Sequence, residues 1–243
     1  MAREPELLGQ TVVVIGGSAG IGLATAQRAR AEGADVILTG RDPERLERAA
    51  TEIGALSSAA FDANDETALG RFFAGVPEPI DHVMITAGGP SYTPLLEMDA
   101  ADVGRALGSH PVVALEVARQ GAPKMRPGGT LVLMGGVSGG GPRSAPGIAT
   151  AAFAAIPPFT AALALELAPV RVNLIAAGFV NTRLTASLLG DQLEARREEL
   201  RRTLPVRRVV EPEDVAALAV HIMVNTALTG ATFDIDGGQQ YIG

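Results

Sequence analysis

The run Gly16-Gly17-Ser18-Ala19-Gly20-Ile21-Gly22 has the composition of a phosphate-holding turn. It follows the β-branched run Thr11 to Ile15 and leads into a helical stretch from Leu23 to Ala31. A chain that leaves a strand and enters a helix turns free backbone N–H groups toward an anion. Gly16 allows the tight turn, Gly20 lets a diphosphate approach the backbone, and Gly22 lets the helix pack close to the sheet. Ser18, Ala19 and Ile21 complete the turn, which reads as a dinucleotide site. The end of the second strand then selects the dinucleotide. An acidic residue there would accept from the ribose 2′-OH of NAD. The sequence instead runs Leu38-Thr39-Gly40-Arg41-Asp42. Gly40 stands at the acid position and Arg41 follows. A guanidinium pairs with a 2′-phosphate, and the Ser18 hydroxyl adds to it. NADP(H) is expected rather than NAD(H).

Composition limits the rest of the chemistry. The chain of 243 residues has no Cys, which removes disulfides, thiolate metal sites and Cys nucleophiles. The three histidines, His82, His110 and His221, lie far apart without metal-ligand spacing, so no metal is expected. A formal charge of −7 argues against nucleic acid and against an anionic membrane surface. The two tyrosines are Tyr92 and Tyr241, and Lys124 is the one lysine. No mechanism that needs a Tyr and a Lys one helical turn apart is open to this chain.

Strand-like and helix-like segments alternate from end to end. After Thr11 to Ile15 come short apolar runs at Val36 to Thr39, Ser58 to Phe61, Val83 to Thr86, Thr130 to Met134, Val170 to Ile175 and Thr232 to Ile235. Each but the last precedes a helix-compatible segment. Continuous rather than alternating apolar runs suit strands covered on both faces. The pattern predicts an α/β fold: a three-layer, Rossmann-type, doubly wound parallel sheet in a single domain over 1–243. Asp42-Pro43 reads as N-cap and first-turn proline of a helix through Ala49. Glu211-Pro212-Glu213-Asp214 opens another through His221, with acids at its positive end.

The order of the motifs resembles the short-chain dehydrogenase/reductase family. The spacing Gly16-x3-Gly20-x-Gly22 is that family's, with Ile15 where Thr is usual. Asp62-Ala63 resembles its adenine-contacting pair, and Thr86-Ala87-Gly88, followed by Gly89, its Asn-Ala-Gly. Ala177-Gly178-Phe179-Val180-Asn181-Thr182 resembles its Pro-Gly-x3-Thr loop. Arg171-Val172-Asn173, Glu211 to Asp214 and Asp236-Gly237-Gly238 are further landmarks. The resemblance implies a seven-stranded parallel sheet, a homo-dimer or homo-tetramer, and a small-molecule substrate. It also implies cofactor contacts from Gly178, Val180 and Thr182. It further implies a catalytic set that this chain lacks: Ala149 stands at the Tyr position, Phe153 at the Lys, Gly136 at the Ser and His110 at the Asn. Replacements are few. His110, with an ordinary pKa of about 6.5, is an acid–base candidate, against a plain helix-cap or core-edge role before Pro111. Ser138 is a second catalytic candidate, against ordinary turn chemistry. Tyr92, beyond a strand's carboxyl end, is either pocket wall or exposed loop. Three functions stay open: an NADP(H)-dependent oxidoreductase with a modified mechanism, a non-catalytic NADP(H)-binding sensor or partner subunit, and a non-redox enzyme using the same pocket.

No secretory signal is read at the N-terminus, and a soluble, cytoplasmic protein without a membrane span is expected. The uncharged stretch Ser144 to Leu165 is long enough to span a bilayer, yet it is mostly Ala with Pro146, Pro157 and Pro158 and reads as a helix buried in protein. That helix should run from Ala149 to Leu167, with a kink or break near Phe153 to Pro158 where two prolines remove N–H donors.

Overall fold

A computed structural model describes residues 5–137 and 147–242, and Ser138 lies outside them. Seven parallel strands pair in the order β3-β2-β1-β4-β5-β6-β7. They are β1 (Thr11–Ile15), β2 (Asp35–Gly40), β3 (Ser57–Ala60), β4 (Ile80–Ile85), β5 (Met125–Gly136), β6 (Arg171–Ala177) and β7 (Thr232–Ile235). All seven expected strands are present. The central β1, β4 and β6 are buried almost throughout, as their continuous apolar runs require. The edge strands β3 and β7 are largely open to solvent, so the short run Ser58 to Phe61 marks an edge rather than a covered strand.

Helices cover both faces. One face carries α1 (Gly20–Ala31), α2 (Pro43–Ile53) and α9 (Pro212–Val224), whose apolar sides join Val12, Val14, Met84 and Ile175. The other carries α3 (Glu66–Gly75), α5 (Pro111–Gly121) and α6 (Ile148–Glu166), around Val13, Val83, Leu131 and Val172. Alternate residues of each strand therefore feed opposite cores. The remaining helices are α4 (Ala100–Gly108), α7 (Arg183–Leu189) and α8 (Leu193–Thr203). Local chemistry sets several boundaries. Asp42 caps α2 by accepting from Arg45 N at 3.0 Å, with Pro43 in the first turn. At the start of α9, Glu211 N donates to the Asp214 carboxylate at 2.9 Å.

The prolines do not break α6, which is a single helix from Ile148 to Glu166 with Pro157 and Pro158 inside it. The local penalty of about 3 kcal/mol per proline is overridden by tertiary packing. Ala152, Phe153, Ile156, Thr160 and Leu163 are buried on one side, while Pro157 is half-buried and Pro158 exposed on the other. The rings thus project away from the core, and the helix is held by its inner face. Its length and apolarity would suffice to cross a membrane, but that inner face belongs to the core beside β5 and β6.

Candidate functional site

Strand order reverses between β1 and β4, and the crevice outside the carboxyl ends of the strands there is where open α/β sheets bind ligands. A groove of about 540 Å³ lies at that point. The glycine loop forms its floor. Gly16 has φ +97°, and a Cβ on it would sit 2.7 Å from Thr86 Oγ1. Thr86 in turn donates to the Gly16 carbonyl at 3.0 Å and stitches the loop to the end of β4. A Cβ on Gly22 would lie 2.3 Å from the same carbonyl. Gly22 therefore packs both on the loop's own backbone and, with Thr86 Oγ1 2.6 Å from its Cβ position, against the end of β4. The N–H groups of Gly16 and Gly17 are taken by Thr39, at 3.3 and 2.8 Å. The first-turn N–H groups of α1 have no such partner from the cap: Ala19 is the N-cap residue, it makes no side-chain cap, and no acid stands in the first turn. That leaves a helix N-terminus facing the groove with its amides available to an anion.

The ribose end is shaped by absence of bulk. A Cβ on Gly40 would meet Ser18 Oγ at 2.9 Å and Ser18 Cβ at 3.1 Å, so a side chain there would have to displace Ser18. Arg41 is exposed, lines the groove and makes no hydrogen bond to a described residue. Arg45 also lines it, with Nε 3.4 Å from Ser18 Oγ and Nη1 3.7 Å from the Asp42 carboxylate. At the neighbouring wall Asp62 accepts from Asn64 N at 3.0 Å and Asn64 Nδ2 at 2.8 Å. Those bonds, then the charge of Arg41, hold its carboxyl below the usual carboxylate range. Ala63, Ala87, Gly88, Gly89 and Thr182 also line the groove, as does Arg183.

A second cavity of about 480 Å³ opens beside the groove. Gly178 and Val180 line this one and not the groove. So do His110, Tyr92 and Phe153. Ala149 is fully buried and lines neither cavity, so only Phe153 gives the apolar wall expected of both. Its ring stands edge-on to the His110 imidazole, centroids 5.8 Å apart, and fills the space where a Cβ on Gly136 would come within 2.4 Å. His110 occupies the N-cap position of α5 without capping it through its side chain. Its Nδ1 is 3.1 Å from Ser109 Oγ, which also bonds the Ala106 carbonyl at 3.0 Å. Burial pushes the imidazole pKa down, so the ring is neutral at pH 7.

A family model described as enoyl-(acyl carrier protein) reductase matches residues 16–240. The chain belongs to the short-chain dehydrogenase/reductase family. Among similar members, short-chain dehydrogenase/reductase ATR9 of Stachybotrys chlorohalonatus is 29% identical over 250 residues, covering 96% of this chain and 98% of its own. The solved structure of MalC reductase/Diels-Alderase from Malbranchea aurantiaca superposes with a TM-score of 0.89 at 26% identity, covering 98% and 99% of the two chains. The structure of BdcA in complex with NADPH superposes with a TM-score of 0.83 at 26% identity, covering 96% and 95%. For this short-chain dehydrogenase/reductase, the sequence brought together most of the groove but missed Arg45, Thr86 as a stitch, and Asn64. Arg45 had a usable signal, since it sits one turn into the helix that Asp42-Pro43 opens. The contacts of Thr86 and Phe153 are set by residues distant in sequence and had none.

Proposed function

We propose that the protein is an NADP(H)-dependent oxidoreductase that acts on a small, largely apolar molecule with an atypical set of proton-transfer residues. One observation carries the cofactor choice: the Ser18 hydroxyl occupies the space an acid at position 40 would need, while two guanidinium groups border that corner. Gly40 offers no carboxylate for an NAD-type ribose contact, and a 2′-phosphate is matched in charge. The NADPH held by the related BdcA supports the reading. In it, the first-turn amides of α1 bind the diphosphate, Asp62 and Ala63 the adenine, and Ala87 to Gly89 with Gly178, Val180 and Thr182 the remainder. When bound, the nicotinamide supplies or accepts a hydride. Phe153 and the β5 wall exclude water from the reacting end. Residues 1–243 act as one soluble, cytoplasmic domain. The test is a fluorescence titration with NADPH and NADH. Arg41→Ala should weaken NADPH by about tenfold to a hundredfold, the worth of one charge-assisted phosphate contact, and leave NADH unaffected. An unchanged NADPH dissociation constant in Arg41→Ala would overturn the cofactor choice.

The same reading includes a homo-oligomer. The outer side of α6 presents Ala151, Ala154, Ala155, Ala161 and Leu165, all exposed, with Leu165 83% exposed. It carries no charge until Glu166. A second copy related by a two-fold axis would cover this side with its own equivalent. Leu165→Arg places a charge in that contact. Light scattering should show the mass fall toward 24.9 kDa, while an unchanged oligomer would place the interface elsewhere.

A further inference from the structure

We propose that Tyr92 is the proton donor of the second cavity and His110 its proton partner, serving reduction of a ketone carried on an apolar skeleton. The proposal rests on the NADP(H) reading above and deepens it. Helix α6 offers the cavity neither a phenol nor an ammonium, only the Phe153 ring. The phenol comes from a different element. The loop that follows β4 carries Tyr92 into the same cavity wall as His110. This loop abuts the start of α6, where a Cβ on Gly147 would come 3.3 Å from the Thr93 carbonyl.

Other polar side chains lining the cavity are already committed, except the Gln239 amide nitrogen, which is no proton source. Gln239 Oε1 accepts from Phe179 N at 2.8 Å, and Thr182 and Thr185 satisfy each other at the start of α7. Arg196, the charged group among the described lining residues, is paired with Glu199 at 2.6 Å. Tyr92 Oη and His110 Nε2 have no hydrogen-bond partner among the described residues. Both groups are neutral near pH 7: burial pushes the imidazole pKa down, and the phenol, 42% exposed, already lies well above pH 7 and is pushed further up by the part of it that is buried. The phenol is therefore always loaded with its proton.

Ser109 makes His110 able to pass a proton. Its hydroxyl has one hydrogen and two neighbours, the Ala106 carbonyl at 3.0 Å and His110 Nδ1 at 3.1 Å. Donating to Ala106, it accepts from Nδ1–H and leaves Nε2 as an acceptor. Donating to Nδ1, it leaves the proton on Nε2, facing the cavity. Passing from the second state to the first sends the Nε2 proton into the cavity and takes the Ser109 proton onto Nδ1, with the ring neutral in both. In the proposed step the carbonyl carbon takes the hydride, with the reduced nicotinamide as reductant, and the C=O π pair moves to oxygen. That oxygen takes the Tyr92 proton. The phenolate takes the His110 Nε2 proton as Nδ1 takes the Ser109 hydroxyl proton 3.1 Å away, and Ser109 is refilled from solvent, so the imidazole stays neutral throughout. The sum is ketone, reduced cofactor and one proton giving a secondary alcohol and oxidised cofactor. The substrate is apolar because the remaining wall is Phe153, Phe179, Met134, Leu184, Leu188 and Leu189.

The experiment follows NADPH oxidation with tetralone, decalone and acetophenone. At least one should be reduced. Tyr92→Phe should lower kcat by about 10²-fold and His110→Gln by about tenfold, with KM and NADPH affinity unchanged. Tyr241→Phe, at an exposed position, should behave as wild type. A Tyr92→Phe enzyme as fast as wild type overturns the proposal, as does a protein that binds NADPH and reduces no member of the panel. Failure to bind NADPH would instead sink the cofactor reading. The cavity is then read without cofactor: the chain has no Trp, so Tyr241→Phe leaves Tyr92 as its one tyrosine fluorophore. Decalone should quench that emission saturably, and a linear, unsaturable response would also overturn the proposal.

Discussion

Arg171→Met is expected to destabilise the fold by about 3–5 kcal/mol, the range for stranding buried polar partners, and to lower the urea midpoint accordingly. Arg171 is buried at the start of β6 and donates to five carbonyls: Gly128 at 3.2 Å, Met223 at 2.7 Å, and Ile222, Asn225 and Leu228 each at 3.0 Å. Several of these are the orphan carbonyls at the end of α9, where a cation also complements the helix dipole. Met has comparable reach and no donors, so the buried carbonyls of Ile222 and Met223 would lose this partner away from water, while Leu228 would keep Asn173 Nδ2 at 2.9 Å. Arg171→Lys keeps the charge but has three donors on one nitrogen and cannot span the set. It should recover only part of the loss. A midpoint for Arg171→Met within experimental error of wild type would show that the carbonyls find other partners.

The second large effect is acid sensitivity that comes from His82. The imidazole is 2% exposed, between strands, and its Nε2 lies 2.7 Å from Gln10 Oε1. That amide oxygen also accepts from Arg126, so Nε2 carries the ring proton. Nδ1 has no partner, and Thr130 Oγ1, on the residue paired in register with His82, is likewise without one. Burial first, then the charges of Arg126 and Arg171, lowers the His82 pKa from 6.5 to about 3. The unfolded chain therefore binds a proton on His82 that the folded chain refuses. Stability from this residue is whole above pH 6.5 and drains away as pH falls toward about 3. At 1.36 kcal/mol per unit the total is on the order of 5 kcal/mol. His82→Gln removes the titration while keeping a donor for Gln10. Unfolding free energies measured from pH 7 to pH 4 should fall less steeply for His82→Gln than for wild type. Parallel curves would assign the acid sensitivity to the carboxylates instead.

Much of the architecture could be read from local chemistry, because the signals were local. Asp42-Pro43 and Glu211-Pro212 carry their caps within three residues, and the strands carry their burial in their own apolar runs. The glycine loop and Arg41 were legible for the same reason. What escaped the sequence was decided at a distance. The five acceptors of Arg171 come mostly from the α9 end of the chain, and nothing around Arg171 announces them. The survival of α6 through Pro157 and Pro158 depends on which side of the helix faces the core, not on the prolines themselves. The crowding of Gly136 by Phe153 joins a strand to a helix, so a count along the sequence could name both residues without showing that they touch. Tyr92 was ambiguous for a related reason: its loop gains meaning only where it meets the start of α6.

The groove and the second cavity are not separate rooms. Ile21, Thr86, Gly88, Pro90, Met134, Thr182 and Leu184 line both. A ligand lodged in one becomes part of the surface presented to the other. Occupancy of the two is then thermodynamically linked, and whatever factor the first ligand adds to the affinity of the second, the second must return to the first. An affinity read in one space is therefore a property of what occupies the other.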